Sequence, residues 1–258
     1  MKNCIVTIFL TVFISSLSFS QKDISNVSKW KSYPVPTNQD TLQKYNGSKL
    51  EWHIEEKNKQ VYAKLLKKFS TEKNLPFKIK PLSEREKEDL TGEISFIDVE
   101  DGYLISFYRG EFGGRLYWFD KQGIKRKLVG RAMIVQFIKR KGKIYAISGL
   151  AHGVSSTGGI IEIQKEKENW KLFNYVNLND APYAINIDKK KNFIVVTSEH
   201  LFSVDMNKKV DILLSKGFWD SLYPTSLVVN KTVVFIGMRQ GIFKFNLATN
   251  KQEWLMPD

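Results

Sequence analysis

The chain has 258 residues and a formal net charge of +13, with 40 Lys and Arg against 27 Asp and Glu. This excess favours anionic partners. However, only seven of the basic residues are Arg, the residue that makes oriented bidentate contacts, so nucleic-acid binding is not expected. Beyond the first twenty residues no segment is apolar enough to cross a membrane, which excludes a protein with helical membrane spans.

The first twenty residues have the layout of a secretory signal peptide. Lys2 precedes an apolar stretch at residues 5–14, and residues 18–20 place Ser at positions −3 and −1 of a cleavage site. The stretch is shorter than the ~20 residues of a membrane span, which disfavours a retained anchor. Cys4 lacks the context of a lipoprotein signal. We therefore expect export to the periplasm or the extracellular space, and a mature chain without cysteine.

The segment between the signal peptide and residue 92 gives mixed signals. Residues 21–40 contain Pro34 and Pro36 and are predicted to form an extended N-terminal arm, followed by a single domain over residues 41–258. Residues 49–69 fit a β-hairpin that turns at residues 57–59, although their second half also fits a helix with one apolar stripe. A short helix is predicted over residues 82–90, because Ser83 and Glu86 have capping-box spacing.

From residue 93 onward, one arrangement of extended runs recurs. Each unit has an apolar run, a short break, a second apolar run, a polar turn and a third run. The four units cover residues 102–129, 142–173, 192–214 and 233–254. One more extended run precedes each unit (ISFIDV, MIVQFI, YAINID and TSLVV). Four short strands per unit, at intervals of about 40 to 50 residues, are typical of a β-propeller blade.

We therefore predict an all-β fold, a β-propeller of about five four-stranded blades. The clear blades are expected at about residues 93–130, 131–176, 181–214 and 223–257. Residues 41–92 are expected to form a degenerate fifth blade rather than an appended domain. A flat β-sandwich is the alternative fold, but it does not require a repeat. Uninterrupted apolar strands such as residues 193–196 fit sheets that are covered on both faces.

The last unit also resembles a known repeat. Asn246, Thr249, Asn250, Lys251 and Trp254 are similar to the D…TGK..W ending of the pyrroloquinoline-quinone-type blade, whose Trp packs between adjacent blades. Asn replaces both the Asp and the Gly of that pattern. The resemblance implies only the blade architecture, because quinoprotein dehydrogenases of that type have about eight blades and a quinone site that this chain does not show. We expect no cofactor.

Propeller geometry places the turns between strands one and two, and between strands three and four, on one face of the disc. Most basic clusters lie in these turns: Lys125-Arg126-Lys127, Lys139-Arg140-Lys141, Lys189-Lys190-Lys191, Lys208-Lys209, Lys231 and Lys251. This predicts a basic face with a weak attraction to an anionic envelope surface, screened beyond about 8 Å in physiological salt. Alternatively, lysine serves there only as a solubilising turn residue.

The opposite face carries the candidate ligand-binding residues. They are Arg109, His152, Tyr183, His200, Trp219, Tyr223 and Arg239. An Asp-x-x-Tyr motif ends at Tyr183 and again at Tyr223, each time directly before an inner strand, so both tyrosines should lie at the mouth of the central channel. Aromatic rings beside Arg, His and carboxylates suit an anionic ligand, a glycan or a partner protein. Alternatively, each Asp caps a turn and each Tyr plugs the channel.

Catalysis is not favoured by the sequence. Residues 153–158, GVSSTG, lack the Gly-x-Ser-x-Gly spacing of a nucleophile elbow, which disfavours a Ser155–His152 mechanism. His53, His152 and His200 have no metal-ligand spacing, so no metal site is expected.

The favoured function is an exported, non-enzymatic binding propeller of the inhibitor or immunity type. The alternative is a carbohydrate-active hydrolase or lyase, which would use two carboxylates at the channel mouth. The four candidates for that pair are Glu111, Asp180, Glu199 and Asp220. This alternative rests on fold analogy.

Overall fold

The structure is a computed structural model that describes residues 24–66, 75–152 and 155–257. The expected signal peptide, with Lys2 and Cys4, lies outside the described residues. Within the described ranges, no helix combines the length and the apolar character needed to span a bilayer.

Twenty strands lie in the described ranges. Those before residue 92 are β1 Ile24–Asn26, β2 Lys31–Tyr33, β3 Trp52–Lys57 and β4 Gln60–Leu65. The next eight are β5 Glu93–Val99, β6 Gly102–Tyr108, β7 Gly114–Phe119, β8 Arg126–Gly130, β9 Ile134–Arg140, β10 Lys143–His152, β11 Ser155–Glu166 and β12 Asn169–Leu178. The last eight are β13 Pro182–Ile187, β14 Phe193–Thr197, β15 Leu201–Val204, β16 Val210–Leu214, β17 Ser226–Asn230, β18 Val233–Gly237, β19 Ile242–Asn246 and β20 Gln252–Met256. The helices are α1 Gln39–Asn46 and α2 Glu84–Asp89, with 3-10 helices at Val27–Lys29, Gly110–Phe112 and Asp220–Leu222.

The strands form five antiparallel sheets arranged as propeller blades. Four of them run in simple up-and-down order, β5 to β8, β9 to β12, β13 to β16 and β17 to β20. The fifth has the order β1-β4-β3. The inner strands pack side by side in the order β5, β9, β13, β17, β3. This confirms the predicted all-β propeller with about five blades.

The N-terminal blade is built from two distant parts of the chain. β3 and β4 form the expected hairpin, and Asn58 and Lys59 make its turn, so the helical alternative for the second half is wrong. β1 adds a third strand by pairing with β4. The chain then crosses to the last blade, where β2 pairs with β20 as a fifth, outermost strand. Residues 24–33 therefore connect the first and last blades.

Buried side chains fill the interfaces between the blades, because each sheet is covered on both faces. β14 is buried at all five residues, as its uninterrupted apolar sequence indicates. Trp254 is only 1% exposed and packs in the apolar cluster shared by the last two blades. One face of the β5–β8 blade packs on the next blade, whereas Leu75, Phe77 and Ile79 cover the other face.

α2 follows this covering segment and begins where its capping residue predicts. The Ser83 hydroxyl accepts a hydrogen bond from the Glu86 amide, so the helix starts at Glu84. The Glu86 carboxylate in turn bonds the Arg126 guanidinium at 2.5 and 2.6 Å.

The hairpin turns that carry most of the basic clusters share one side of the disc, which we call the turn face. Two basic residues expected to be exposed there are instead buried. Arg126 is ion-paired with Glu86 and has a side chain only 7% exposed. Arg140 is 2% exposed, and its guanidinium carbon lies 3.6 Å from the centre of the Phe193 ring. The exposed charge of the turn face therefore comes mainly from lysine.

Candidate ligand-binding site

A cavity of about 470 Å³ lies at the hub, on the side opposite the turn face. We call it the mouth cavity, because residues of all five inner strands, or directly before them, surround it. Its lining is Glu51, His53, Leu66, Glu93, Ile94, Ser95, Tyr108, Ile134, Val135, Gly149, Ala151, Ala181, Pro182, Tyr183, Tyr223, Pro224 and Thr225. Its volume is within the range of small-molecule sites.

Three tyrosines give the mouth cavity its chemistry. Tyr108 ends β6, Tyr183 lies in β13, and Tyr223 precedes β17, so three blades each contribute one ring. Burial raises the pKa of Tyr183 to about 12, helped by the nearby Asp220 carboxylate and by Tyr223 and Tyr108. Burial and Glu93 likewise raise the pKa of Tyr108. Tyr183 and Tyr108 therefore stay neutral at physiological pH and offer hydroxyl groups as hydrogen-bond donors and acceptors.

Tyr223 reaches the cavity through an unusual backbone conformation. It follows the 3-10 helix Asp220–Leu222 with φ 50° and ψ 82°, a left-handed conformation that a bulky residue adopts at a cost. The residue is 45% exposed. The Arg239 guanidinium lies 4.4 Å from the ring centre, and it donates hydrogen bonds to the Asn46 carbonyl and side-chain oxygens at 3.2 and 2.6 Å. The Arg239 contact thus supports one face of the Tyr223 ring.

The charge of the cavity differs from that of the whole chain. Glu51 and Glu93 line it, and its described lining includes neither Lys nor Arg. A net charge of +13 on the whole protein is thus accompanied by an acidic, tyrosine-rich hub.

Small residues let two blades approach each other closely along the cavity wall. A Cβ atom added to Gly149 would lie 2.7 Å from Pro182 Cδ, and one added to Gly158 would lie 2.4 Å from it. Side chains at either position would push the β13 strand outward and change the position of Tyr183.

Of the seven predicted ligand-binding residues, the structure brings Tyr183 and Tyr223 to the cavity, and it places Arg239 behind Tyr223. The expectation that Trp219 binds a ligand is corrected by the structure. Its side chain is fully buried, and its indole nitrogen donates a hydrogen bond to the Thr197 carbonyl at 2.9 Å. It belongs to the core between blades and has no surface to offer a ligand.

The remaining three predicted ligand-binding residues hold loops outside the cavity. Arg109 donates to the carbonyls of Glu88 and Phe112, both at 3.1 Å, and so fastens the end of α2. His152 is exposed and lies 3.0 Å from the Glu111 carboxylate.

His200 contacts Asp180, which organises the loop between β14 and β15. The Asp180 oxygen Oδ2 accepts from the Thr197 hydroxyl, the Glu199 amide and the His200 ring nitrogen Nδ1. Asp180 is 3% exposed, and its other oxygen is buried without a hydrogen-bond partner in the described residues. In this motif the Asp fixes a loop, whereas the Tyr of the same motif faces the channel.

The four candidate catalytic carboxylates do not line the mouth cavity. Glu111 pairs with His152, Asp180 is buried in its loop, Glu199 is exposed, and Asp220 begins a 3-10 helix at the surface. The structure therefore corrects the expectation that these four carboxylates lie at the channel mouth.

The acids of the cavity, Glu51 and Glu93, and the third tyrosine, Tyr108, were missed by the sequence reasoning. Glu93 is the first residue of the inner strand β5, and Tyr108 of β6 is its direct partner in the sheet. The position of Glu93 at the start of an inner strand was the signal in the sequence that could have identified both residues. Within the described part of the chain, no three His, Cys, Asp or Glu side chains gather into a metal-binding group.

No protein-family profile matches the sequence, and no curated protein matches it. Solved structures show partial likeness. A streptogramin B lyase is 17% identical, with a TM-score of 0.41, and the match covers 64% of this chain and 53% of the lyase. For virginiamycin B lyase from Staphylococcus aureus the identity is 13%, the TM-score 0.43 and the coverage 64% and 55%. The extracellular domain of a hybrid two-component system from B. thetaiotaomicron is 12% identical, with a TM-score of 0.41 over 86% of this chain and 29% of that one. This chain therefore spans about half the length of the lyases that it matches.

Proposed function

We propose that this protein is an exported, non-enzymatic binding propeller that holds a glycan or a segment of a partner protein in the mouth cavity. The observation that carries the proposal is the convergence of Tyr108, Tyr183 and Tyr223 on one cavity at the hub. Tyrosine rings stack on the apolar faces of sugars and peptides, and their hydroxyls add oriented hydrogen bonds. An inhibitor or immunity role in the cell envelope is one form of this function.

The charge of the lining narrows the class of ligand. Glu51 and Glu93 would repel an anion, and the described lining contains His53 but neither Lys nor Arg. A neutral sugar or a peptide carrying Lys or Arg suits the cavity better than the anionic ligand expected from the net charge of the chain.

A carbohydrate-active hydrolase remains the second candidate, because Glu51 and Glu93 line the same cavity. Acid–base cleavage of a glycosidic bond needs two carboxylates placed on opposite sides of the bond. This pair of carboxylates is not among the four that the sequence suggested for a hydrolase.

The test is a binding screen of the mature protein against an array of neutral and amino-sugar oligosaccharides and a displayed random-peptide library. Tyr183→Ala removes a ring at the centre of the cavity. Tyr33→Ala is the matched control, since Tyr33 is an exposed tyrosine on the outer strand β2. We expect binders selected on the wild type to lose at least ~10-fold in affinity with Tyr183→Ala, and to bind the control normally.

Two results would count against the proposal. If every selected binder retains its affinity for Tyr183→Ala, the mouth cavity is not the binding site. If a bound oligosaccharide is recovered cleaved, and Glu51→Gln or Glu93→Gln abolishes the cleavage, the hydrolase is the correct function.

A further inference from the structure

We propose that the turn face docks on a phosphate-bearing lipid surface, through an arc of four lysines and two apolar turn tips. The lysines are Lys59, Lys141, Lys191 and Lys231, and the tips are Ile124 and Met206. This surface lies on the side of the disc opposite the mouth cavity, so the proposal is independent of what that cavity binds.

The four lysines form an arc because each lies in the first hairpin turn of a different blade. The blades containing Lys59, Lys231, Lys191 and Lys141 follow one another around the ring. Hydrogen bonds join two of the three neighbouring pairs of turns. The Asn230 side chain donates to the Lys59 carbonyl at 2.8 Å, and Arg140 donates to the Lys191 carbonyl at 3.4 Å.

All four lysines have a left-handed backbone, with φ between 50° and 69°. Gly and Asn adopt this conformation more easily than Lys does. Asn58 and Gly142 are left-handed beside Lys59 and Lys141 in the same turns, and Asn250 is left-handed in the turn between β19 and β20. Each of the four lysines is exposed, and none is in an ion pair within the described ranges. The four equivalent turns therefore share an exposed lysine in a strained conformation. Lys167 and Lys208 are left-handed too, in two further hairpin turns of the same face, whereas Lys216 is left-handed in a loop between blades.

Apolar side chains on the same face favour a lipid surface over a soluble polyanion. Ile124, in the turn between β7 and β8, is 76% exposed, and Met206, in the turn between β15 and β16, is 41% exposed. Lys125 and Lys208 lie close to them in the same turns. Apolar tips flanked by lysine suit the boundary between headgroups and acyl chains.

The arc has acidic neighbours, because Asp188 lies in the turn of Lys191, where it bonds Asn192, and Glu100 and Asp101 lie in the first hairpin turn of the β5–β8 blade. Two of the nearby acids are paired with lysines outside the arc. Asp98 pairs with Lys121 at 2.8 Å, and Asp101 pairs with Lys165 at 3.0 Å. Lys is also the appropriate cation for mobile headgroups, because its point charge does not require the fixed bidentate geometry of Arg.

The experiment measures co-sedimentation of the mature protein with vesicles of phosphatidylcholine, alone or mixed with phosphatidylglycerol. We expect binding only to the mixed vesicles. The triple variant Lys141→Asn, Lys191→Asn, Lys231→Asn should bind them on the order of 100-fold more weakly. Its melting temperature should equal or exceed that of the wild type, because Asn tolerates the left-handed backbone.

The control triple variant is Lys44→Asn, Lys64→Asn, Lys216→Asn, which removes the same charge from exposed lysines away from the turn face. Lys216 is itself left-handed, with φ 54°, and it lies in a loop between blades. Vesicle binding by this variant should change little. If both triple variants lose binding equally, only net charge matters and the arc is not a site. If the first variant is clearly less stable, the left-handed argument is wrong.

A second variant pair separates a lipid surface from a soluble polyanion. Ile124→Ser with Met206→Ser should weaken vesicle binding and leave binding to immobilised heparin unchanged. If vesicle binding is unaffected by these changes while soluble heparin displaces the protein from vesicles, the partner is a polyanionic chain and the lipid proposal fails.

Discussion

At the channel mouth, Tyr223 combines a costly backbone conformation with a partly exposed aromatic ring. A left-handed conformation costs a non-glycine residue about 1 to 2 kcal/mol. The cation–π contact between Tyr223 and Arg239, at 4.4 Å, offsets about 0.5 to 1 kcal/mol of this backbone cost. The backbone cost thus equals or exceeds the gain from the cation–π contact, so Tyr223 does not stabilise the fold through these two effects. Strained residues of this kind cluster at functional sites.

Tyr223→Asn should therefore leave the free energy of unfolding within about 1 kcal/mol of the wild type, because relief of backbone strain offsets the lost cation–π contact. The same change should abolish binding of ligands selected on the mouth cavity. Urea denaturation measures the first effect, and Tyr223→Phe is the control that keeps the ring. A loss of more than about 2 kcal/mol would support the alternative in which the tyrosine plugs the channel.

The sequence could place the two tyrosines of the Asp-x-x-Tyr motifs at the hub, because both directly precede or begin an inner strand. It could not separate Trp219 from Tyr223, since both are aromatic and stand four residues apart in one loop. The 3-10 helix between them turns Trp219 into the core and Tyr223 toward the channel. Such a reversal depends on tertiary packing and leaves no periodic pattern in the sequence.

At the scale of single elements, Glu253 joins three strands at the outer edge of the last blade. On β20 it accepts hydrogen bonds from Lys244 of β19 at 2.8 Å, from Lys251 at 3.1 Å and from the Ser32 hydroxyl of β2 at 2.9 Å. The Lys244 bond is the main cause that lowers the pKa of Glu253 from 4.5 to about 2, against an opposing effect of burial. Lys251 and Ser32 lower it further.

Because the folded-state pKa is lower than the unfolded one, Glu253 stabilises the fold above pH 4.5. This contribution is lost as the pH falls toward 2. Glu253→Gln should reduce the free energy of unfolding at pH 7 by about 2 kcal/mol at most. The difference from wild type should shrink steadily between pH 4.5 and pH 2 in a series of denaturation curves. If the difference in the free energy of unfolding stays constant over this interval, the charge of Glu253 does not contribute to stability.

The elements that the sequence predicted correctly have local causes. Hairpins such as β3–β4, and the four clear blades, pair residues that are neighbours along the chain. The β2 strand was not foreseen because its partner lies far away, with Ser32 bonding Glu253 across 221 positions. Three residues of mixed polarity carry too little pattern to identify such a pairing.

For the whole molecule, residues 24–33 act as a clasp between the first and last blades. β1 completes the N-terminal sheet, β2 extends the last one, and Val27 and Trp30 are buried between them. The Trp30 indole donates to the Ser25 hydroxyl at 2.7 Å and packs edge-on against Trp52, with ring centres 4.8 Å apart. The same apolar cluster includes Val228 and Leu255 of the last blade. Opening the ring at this point must therefore expose a cluster that belongs to two blades at once.

Trp30→Ala should lower the free energy of unfolding by about 3 to 5 kcal/mol, because a large buried ring is removed. Phe173→Ala is the control, since Phe173 is 38% exposed on β12, and its loss should cost under about 1 kcal/mol. Hydrogen exchange then shows where the ring opens. Amides of β1, β2, β4 and β20 should lose protection first, whereas β10 and β14 in the middle blades keep theirs. Uniform loss of protection across all five sheets would show that the propeller unfolds as one unit and that the clasp has no separate role.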